Sequence, residues 1–387
     1  MDDRLQINCC GCGLCAYVCG VNAIKMQKDQ YGFLQPIIDQ DACIHCGACE
    51  KVCIFKNPQP GKMPKESTLA AHRDYEIQMS SSSGGAFSAI CQSIAEANLG
   101  NKISYYGAAW QDDFSVKHER VESLEEISRF RKSKYLQSDI CAQFEAVKND
   151  LNNGYIVIFS GTPCQIAAMN KAVKSNCENL YTIDIVCNGA GSPAAFQNYL
   201  TNKYTDVISV DMRHKDFYHG VIFYKWFEVI CRDSRKHIER MNHYLSAYYT
   251  GQFNRVSCFD CPYAKKERVS DFTIGDIHKA YDQLKSPEYK NGVSVLLLNT
   301  EKANGLRKNI VNHMAVDTVK YQEIYSNSQR LREAGTKPDN YPEIMKFVST
   351  QKANHDKYIS ERIFVVPMWK QKLGEMIPEA LWNIFKK

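Results

Sequence analysis

Beyond about residue 67, hydrophobic positions of this 387-residue chain fall into short apolar runs alternating with stretches of helical spacing. A short run around 68–71 precedes SSSGGAF, after which 86–97 repeats apolar residues at helical intervals, with Ser83 the expected N-cap. Residues 103–110 read as a strand, and 138–151 as an amphipathic helix capped by Ser138 or Asp139. YIVIF at 155–159 is a buried strand by composition, followed by SGTPCQ and a helix to about Val173. A strand at 180–186 leads through CNGAGSP into a helix from about Pro193 to Tyr204. Residues 221–231 read as a longer strand, and VSVLLL at 293–298 as a buried strand followed by a helix. After about Asp317 the pattern is mostly helical, ending in a stripe of Ile377, Leu381, Ile384 and Phe385. That stripe is expected to pack on the body or on a second subunit, the alternative being a membrane-surface helix. Repeated strand–turn–helix units predict an α/β domain over 68–316 with a mainly parallel sheet, then a mostly helical C-terminal region over 317–387.

Cysteine spacing organises the first 56 residues. C-x2-C-x2-C-x3-C occurs twice, as Cys9, Cys12, Cys15 and Cys19, and as Cys43, Cys46, Cys49 and Cys53. Three thiolates from one tight loop and a distant fourth suit a cubane [4Fe–4S] core. In two-cluster ferredoxins the fourth cysteine of each run serves the other cluster. The expected sets are therefore Cys9, Cys12, Cys15 and Cys53, and Cys43, Cys46, Cys49 and Cys19. Gly11, Gly13 and Gly47 would let backbone pass close to the sulfides. Zinc favours separated C-x2-4-C knuckles, which neither run forms, and disulfides need an oxidising compartment. Cys10 falls outside the spacing and reads as a bystander. Gly20 and Ile54 stand where bacterial ferredoxin runs usually carry proline. The expected architecture is an α+β ferredoxin-like two-cluster module over 1–56, a linker over 57–67 (NPQPGKMPKES) and the α/β domain.

Composition narrows the partners. With 48 Lys+Arg against 43 Asp+Glu the formal charge is only +5, and no long basic block suggests nucleic acid. No apolar run approaches the roughly 18 residues of a spanning helix. The opening MDDRLQINCC has no apolar export segment, so with 17 cysteines a reducing cytoplasm is the expected location.

Three turns rich in Ser, Gly and Thr follow strands or open helices: 82–85, 160–162 and 189–192. Such turns at the carboxyl ends of parallel strands would suit a flavin pyrophosphate or ribityl chain, although ordinary loop chemistry reads equally well. Gly189-x-Gly191-x-x-Ala194, with Asp211 twenty residues beyond Gly191, outlines a dinucleotide fingerprint, but Pro193 removes an amide there. Cys258 and Cys261 form a C-x2-C pair, and Cys164 and Cys187 each sit just past a strand. Spacing alone leaves these four open between a third cluster, a zinc or redox pair and buried free thiols. Cys91, Cys141, Cys177 and Cys231 fit helices or strands as packing residues.

In order along the chain, SSSGGAF, SKYLQSD at 133–139, SGTPCQ at 160–165, DIVCNG at 184–189 and CFDCPYAKKERVSDFTIGDI resemble the coenzyme F420 hydrogenase/dehydrogenase beta-subunit family. The resemblance runs from Met1 to about Leu298. It implies an iron–sulfur flavoprotein that reduces a deazaflavin coenzyme or, as in relatives, a chlorophyll pigment or other acceptor through FAD. It further implies FAD near Ser83, Gly84, Gly85, Lys134, Tyr135, Gln137, Ser160, Gly161 and Thr162, and a third [4Fe–4S] cluster on Cys164, Cys187, Cys258 and Cys261. Lys134 suits a place near flavin N1 or phosphate, where a cation would stabilise a reduced anionic ring. Asn188 replaces a histidine of the family's C-H-G-V-P-S-P pattern, and Gly275-Asp276-Ile277-His278-Lys279 replaces G-D-F-W-G. Specificity for the deazaflavin among these acceptors is therefore not implied.

The expected function is an FAD- and iron–sulfur-dependent oxidoreductase, taking single electrons from a donor such as ferredoxin and passing them to an organic two-electron acceptor. His214, Lys215, Tyr218 and His219 are polar candidates for touching that acceptor, against a reading as exposed loop polarity, and no catalytic acid is assigned. The rivals are a non-catalytic electron-transfer subunit of a larger redox complex and an iron–sulfur regulatory sensor. A homo-oligomer is compatible with either enzyme or relay.

Overall fold

The computed structural model describes residues 9–173, 178–218, 221–240, 242–277 and 286–349. The expected C-terminal stripe, Cys177, His219 and the His278-Lys279 pair lie outside them.

The strands are β1 (Ile24–Lys28), β2 (Leu34–Ile38), β3 (Glu66–His72), β4 (Ile103–Trp110), β5 (Val116–Val121), β6 (Ser138–Asp139) and β7 (Ile156–Gly161). They continue as β8 (Leu180–Ile185), β9 (Val207–Tyr218), β10 (Val221–Cys231), β11 (Lys236–Arg240), β12 (Phe272–Asp276), β13 (Ser294–Leu298) and β14 (Met314–Thr318). One large sheet runs β14-β3-β13-β12-β8-β7-β4-β5-β6. Its centre, β12-β8-β7-β4, is parallel, whereas β14-β3-β13-β12 and β4-β5 pair antiparallel. The mainly parallel sheet expected from the strand–helix alternation is thus a mixed sheet with a parallel centre. The reason at one side is loop length. A parallel crossover needs a dozen or more residues, but β4 turns directly into β5 through a bend closed by Gln111 and Ser115. Strands β9, β10 and β11 make a separate antiparallel sheet.

The central strands bury both faces, which is why they read as unbroken apolar runs. Along β7, Ile156 and Ile158 pack with Ile90 and Ile94 of the helix Ala86–Ala97. The alternate residues Val157 and Phe159 pack with Phe144, Ile166 and Met169 from the helices Gln143–Asn152 and Pro163–Ala172. Leu14 and Ile54 of the cysteine-rich segment join this second core.

That segment holds the β1–β2 hairpin and two short helices, Leu14–Tyr17 and Ala48–Val52, each following a cysteine loop. The loops share a backbone course. Gly11 and Gly13 have φ of 70° and 79°, and the matching His45 and Gly47 have 52° and 72°. At Gly11 a side chain is also blocked, because a Cβ would lie 2.5 Å from the Leu34 carbonyl.

Two expected caps are replaced. The N-cap of Ala86–Ala97 is Gly85, with φ of 87°, while the Ser83 hydroxyl donates to the Val293 carbonyl. The helix expected at 138–151 begins at Gln143. Ser138 pairs with Val116 in the sheet and meets the His118 ring at 2.7 Å, and Asp139 accepts from the Cys141 amide. The helix Pro193–Lys203 follows its Ser192 cap as expected. Past Asp317 the described residues include helices Tyr321–Asn327 and Tyr341–Val348. Among the described residues no helix is long and apolar enough to cross a membrane.

A buried ion pair fastens the loop after Cys261 to the sheet. Arg268 reaches Asp184 on β8 at 2.9 Å, with side chains 1% and 0% exposed, and also donates to the carbonyls of Tyr263 and Lys265. Removing one partner of such a pair leaves a buried charge uncompensated. Arg268→Met is expected to cost about 3–5 kcal/mol in denaturant unfolding, and Asp184→Leu added to it should recover most of that loss.

Candidate redox site

The structure brings Cys9, Cys12, Cys15 and Cys53 together. Burial, then the neighbouring Cys12, Cys9 and Cys53 thiols, push Cys15 up to about 12. Cys9 is raised by burial against the opposing pull of Arg255, with Cys12 and Cys53 beside it. In the second loop Cys49 lies near Cys43, and Cys46 is exposed. Cys19 accepts the Ala23 amide at 3.3 Å.

A second convergence occurs on the body. Cys164 follows the Thr162 cap of Pro163–Ala172, and Cys187 follows β8. Cys258 and Cys261 arrive on a 3-10 turn spanning Val256–Asp260 and its C-cap. Cys187 is raised well above its ordinary value by burial, then by Cys258, Cys164 and Cys261. Burial lifts Cys258 to about 11 and Cys261 to about 12, with Cys164 acting on both. The Gly189 amide points at Cys187 Sγ (3.4 Å) and the Ala190 amide at Cys258 Sγ (3.3 Å). The glycine turn that outlines a dinucleotide fingerprint therefore spends its amides on sulfur, and a Cβ on Gly189 would strike Asn254 at 2.6 Å. Asp211 pairs with Lys132 instead of waiting for a ribose.

Among the described residues, the one group of three or more potential ligand atoms gathered tightly enough for a single ion, all within 4.8 Å, is Asp211, His214 and Glu228. The cysteine sulfurs are not so gathered. A zinc with bonds of about 2.3 Å holds its sulfurs roughly 3.8 Å apart. The wider cysteine sets, with amides aimed at sulfur, fit a larger inorganic core. At the carboxylate–histidine group, Lys132 and Lys236 already neutralise Asp211 and Glu228.

Cys10, expected to be a bystander, is half-buried between the two convergences. Its thiol is pushed well up by hydrogen bonds to Cys12 and Cys164, and Cys12 is correspondingly lowered. Both Cys10 and Cys12 line a cavity of about 270 Å³ together with Cys164 and Cys187. The same cavity is lined by Ser83, Gly85, Lys134, Tyr135, Gln137, Ser160, Gly161 and Thr162. Gly84 stands behind it, where a Cβ would sit 2.4 Å from the Ala70 carbonyl. Lys134 Nζ donates to the Arg131 carbonyl at 2.9 Å, and burial brings the lysine down to about 7. A desolvated ammonium of this kind favours an anionic neighbour. Several hydroxyls expected at a flavin are engaged within the protein: Ser83 with Val293 and Ser160 with the Tyr106 carbonyl. Gln137 is taken up in the same way, donating to the Cys10 carbonyl at 3.0 Å and accepting the Leu34 amide at 2.8 Å.

Sequence reasoning missed Arg213 and Arg255. Arg213 is buried, donates to the Tyr135 hydroxyl (2.9 Å) and pairs with Asp276 (2.6 Å) at the cavity wall. Nothing in local periodicity marks it, since its partners are distant in sequence. Of the polar acceptor candidates, His214 turns toward Asp211 and Glu228, at 3.7 and 3.4 Å. Lys215 is buried and donates to the carbonyls of Gln78, Ser83 and Asn291. It holds the Ser83 turn in place and is not exposed loop polarity.

Residues 154–324 match the family model for the C terminus of the coenzyme F420 hydrogenase/dehydrogenase beta subunit. Residues 8–57 match the 4Fe-4S dicluster domain. Over 39 residues the chain is 51% identical to a 7Fe ferredoxin of Hydrogenibacillus schlegelii, which is 10% of this chain and 44% of that protein. The chain thus spans less than half the length of that curated relative. A solved structure with which it aligns is the xenon-derivatised F420-reducing [NiFe] hydrogenase complex from Methanosarcina barkeri. That alignment has 16% identity and a TM-score of 0.47, covering 79% of this chain and 94% of that one. The dicluster domain makes the chain an iron–sulfur electron-transfer protein. Residues 154–324 are similar to the C-terminal region of the coenzyme F420 hydrogenase/dehydrogenase beta subunit.

Burial holds Lys215 at about 7, against about 10.4 for a lysine in an unfolded chain. Between those values the unfolded state binds more protons, so this residue's contribution to stability rises with pH. Relative to Lys215→Met, the parent protein should gain up to about 1.4 kcal/mol per pH unit from pH 7 to 9. Unfolding curves of both proteins across that range check this, and a gap that stays constant would refute it.

Proposed function

We propose that the chain is an iron–sulfur flavoprotein oxidoreductase. It takes single electrons from a ferredoxin-like donor, passes them through [4Fe–4S] clusters to FAD, and delivers them in pairs to an organic acceptor. The observation carrying this reading is the shared cavity. Residues in the positions where the family resemblance implies flavin line the same space as Cys10, Cys12, Cys164 and Cys187. Bound FAD would supply the conversion between one-electron and two-electron chemistry.

Cys9, Cys12, Cys15 and Cys53 would hold an inner cube, Cys43, Cys46, Cys49 and Cys19 an outer one, and Cys164, Cys187, Cys258 and Cys261 a third. The outer loop is the docking place for the donor, because Cys46 is exposed and Ile44 beside it is 66% exposed. Lys134 would meet the anionic part of the flavin, recovering the charge that burial otherwise suppresses. Tyr135, stacked on Tyr248 at 4.5 Å and bonded to Arg213, gives the cavity a rigid aromatic wall. Asn188 also lines the cavity, where the family commonly carries histidine, so the acceptor would meet an amide at this point.

Anaerobic purification followed by iron, acid-labile sulfide and flavin quantitation tests the reading. About twelve irons and one FAD per chain are expected. Cys258→Ser should lose about four of those irons and keep about eight. Eight irons in the parent protein would return the body cysteines to packing roles. Absence of flavin even after reconstitution with FAD would sink the enzyme and leave an electron relay.

A further inference from the structure

Arg255 is only 3% exposed, and among the described residues no carboxylate lies within ion-pair distance of it. Its donors go to neutral oxygens: Nε to the Cys9 carbonyl (2.5 Å), Nη2 to the Leu34 carbonyl (2.9 Å) and Nη1 to Gln137 Oε1 (3.3 Å). The guanidinium also lies 5.2 Å over the Phe33 ring. A buried cation needs negative charge nearby, or its desolvation goes uncompensated. Hydrogen bonds to carbonyls orient the group without neutralising it. The groups able to do so are sulfurs. Its Nη1 lies 2.9 Å from where a Cβ on Gly11, between Cys9 and Cys12, would sit, and the Cys258 amide donates to the Arg255 carbonyl at 2.9 Å. A cubane core held by four thiolates is a net anion, and more so once reduced.

We propose that Arg255 is the shared counter-cation of the inner N-terminal cysteine set and the body set, raising the reduction potentials of both clusters together. The assignment rests on the reading that both sets hold clusters. It makes Arg255 a positioning residue with an electrostatic task, since its three hydrogen bonds also clamp the cysteine-rich segment to the body. Those two roles predict different readouts. A clamp alone would alter iron loading but not the potentials of clusters that remain.

The test is an EPR-monitored potentiometric titration of the intact holoprotein, with iron and sulfide measured on the same samples. Arg255→Met should lower both midpoint potentials, while Arg255→Lys, which keeps the charge, should lie near the parent. Gln137→Glu keeps the arginine but sets a carboxylate against it, and should also lower both. A fully loaded Arg255→Met with unshifted potentials, or with one cluster shifted alone, overturns the assignment and leaves the cluster reading intact. If Arg255→Met fails to load iron, Gln137→Glu gives the same decision by the same criterion. A parent protein lacking iron in either set refutes the cluster reading and this assignment with it.

Discussion

Parallel pairing of β7 with β8 is the constraint on which the site depends. With Gly161 opposite Asp184, both strands leave the sheet at one edge, and the turns that follow carry Cys164 and Cys187 to the same place. Antiparallel pairing would have sent those turns to opposite edges. The remaining cysteines come to this edge from outside the sheet. The Cys258–Cys261 turn is fastened through Arg268 to Asp184, one strand position from the end of β8. The cysteine-rich segment seats Leu14 and Ile54 in the core formed by Phe159 and its neighbours, which delivers Cys10 and Cys12 to the cavity.

Buried and half-buried positive charge surrounds that edge. Lys134 and Arg213 line the cavity, while Lys215 and Arg255 reach it from behind through Ser83 and Gln137. Each is held by oxygen atoms of the chain, and of the side-chain hydrogen bonds described for these four, only that from Arg213 to Asp276 ends on a carboxylate. An interior of this kind is unfavourable when empty and favourable around anions. Flavin phosphates and thiolate-bound iron are both anions. One electrostatic design would therefore serve both groups.

Much of this was legible in the sequence where the signal was local. The apolar runs of β4, β7, β8 and β13 and the helices Ala86–Ala97, Pro163–Ala172 and Pro193–Lys203 follow from periodicity and flanking turn residues. The antiparallel flank was not legible. Strand β3 pairs with β13 and β14, more than two hundred residues away, and no periodic pattern encodes a partner at that distance. The misplaced cap at Ser138 has the same origin. Its hydroxyl prefers the His118 ring, which sequence proximity does not announce. Arg255 is the sharpest case. It is a single basic residue just before a C-x2-C pair, and its partners at Cys9, Leu34 and Gln137 come from three separate stretches.

The two cysteine loops share a backbone course yet face different surroundings. The first lies against the protein core, whereas the second presents Cys46, His45 and Ile44 to solvent. A metal cube in each would therefore decay at different rates in air. Dioxygen and peroxide would reach the outer cube first, and its loss would leave the inner one sheltered. Protein handled aerobically would then pass through a stage that has lost its contact with the donor while its interior remains intact. Such a protein would still show the colour of iron–sulfur clusters after it had ceased to accept electrons from outside.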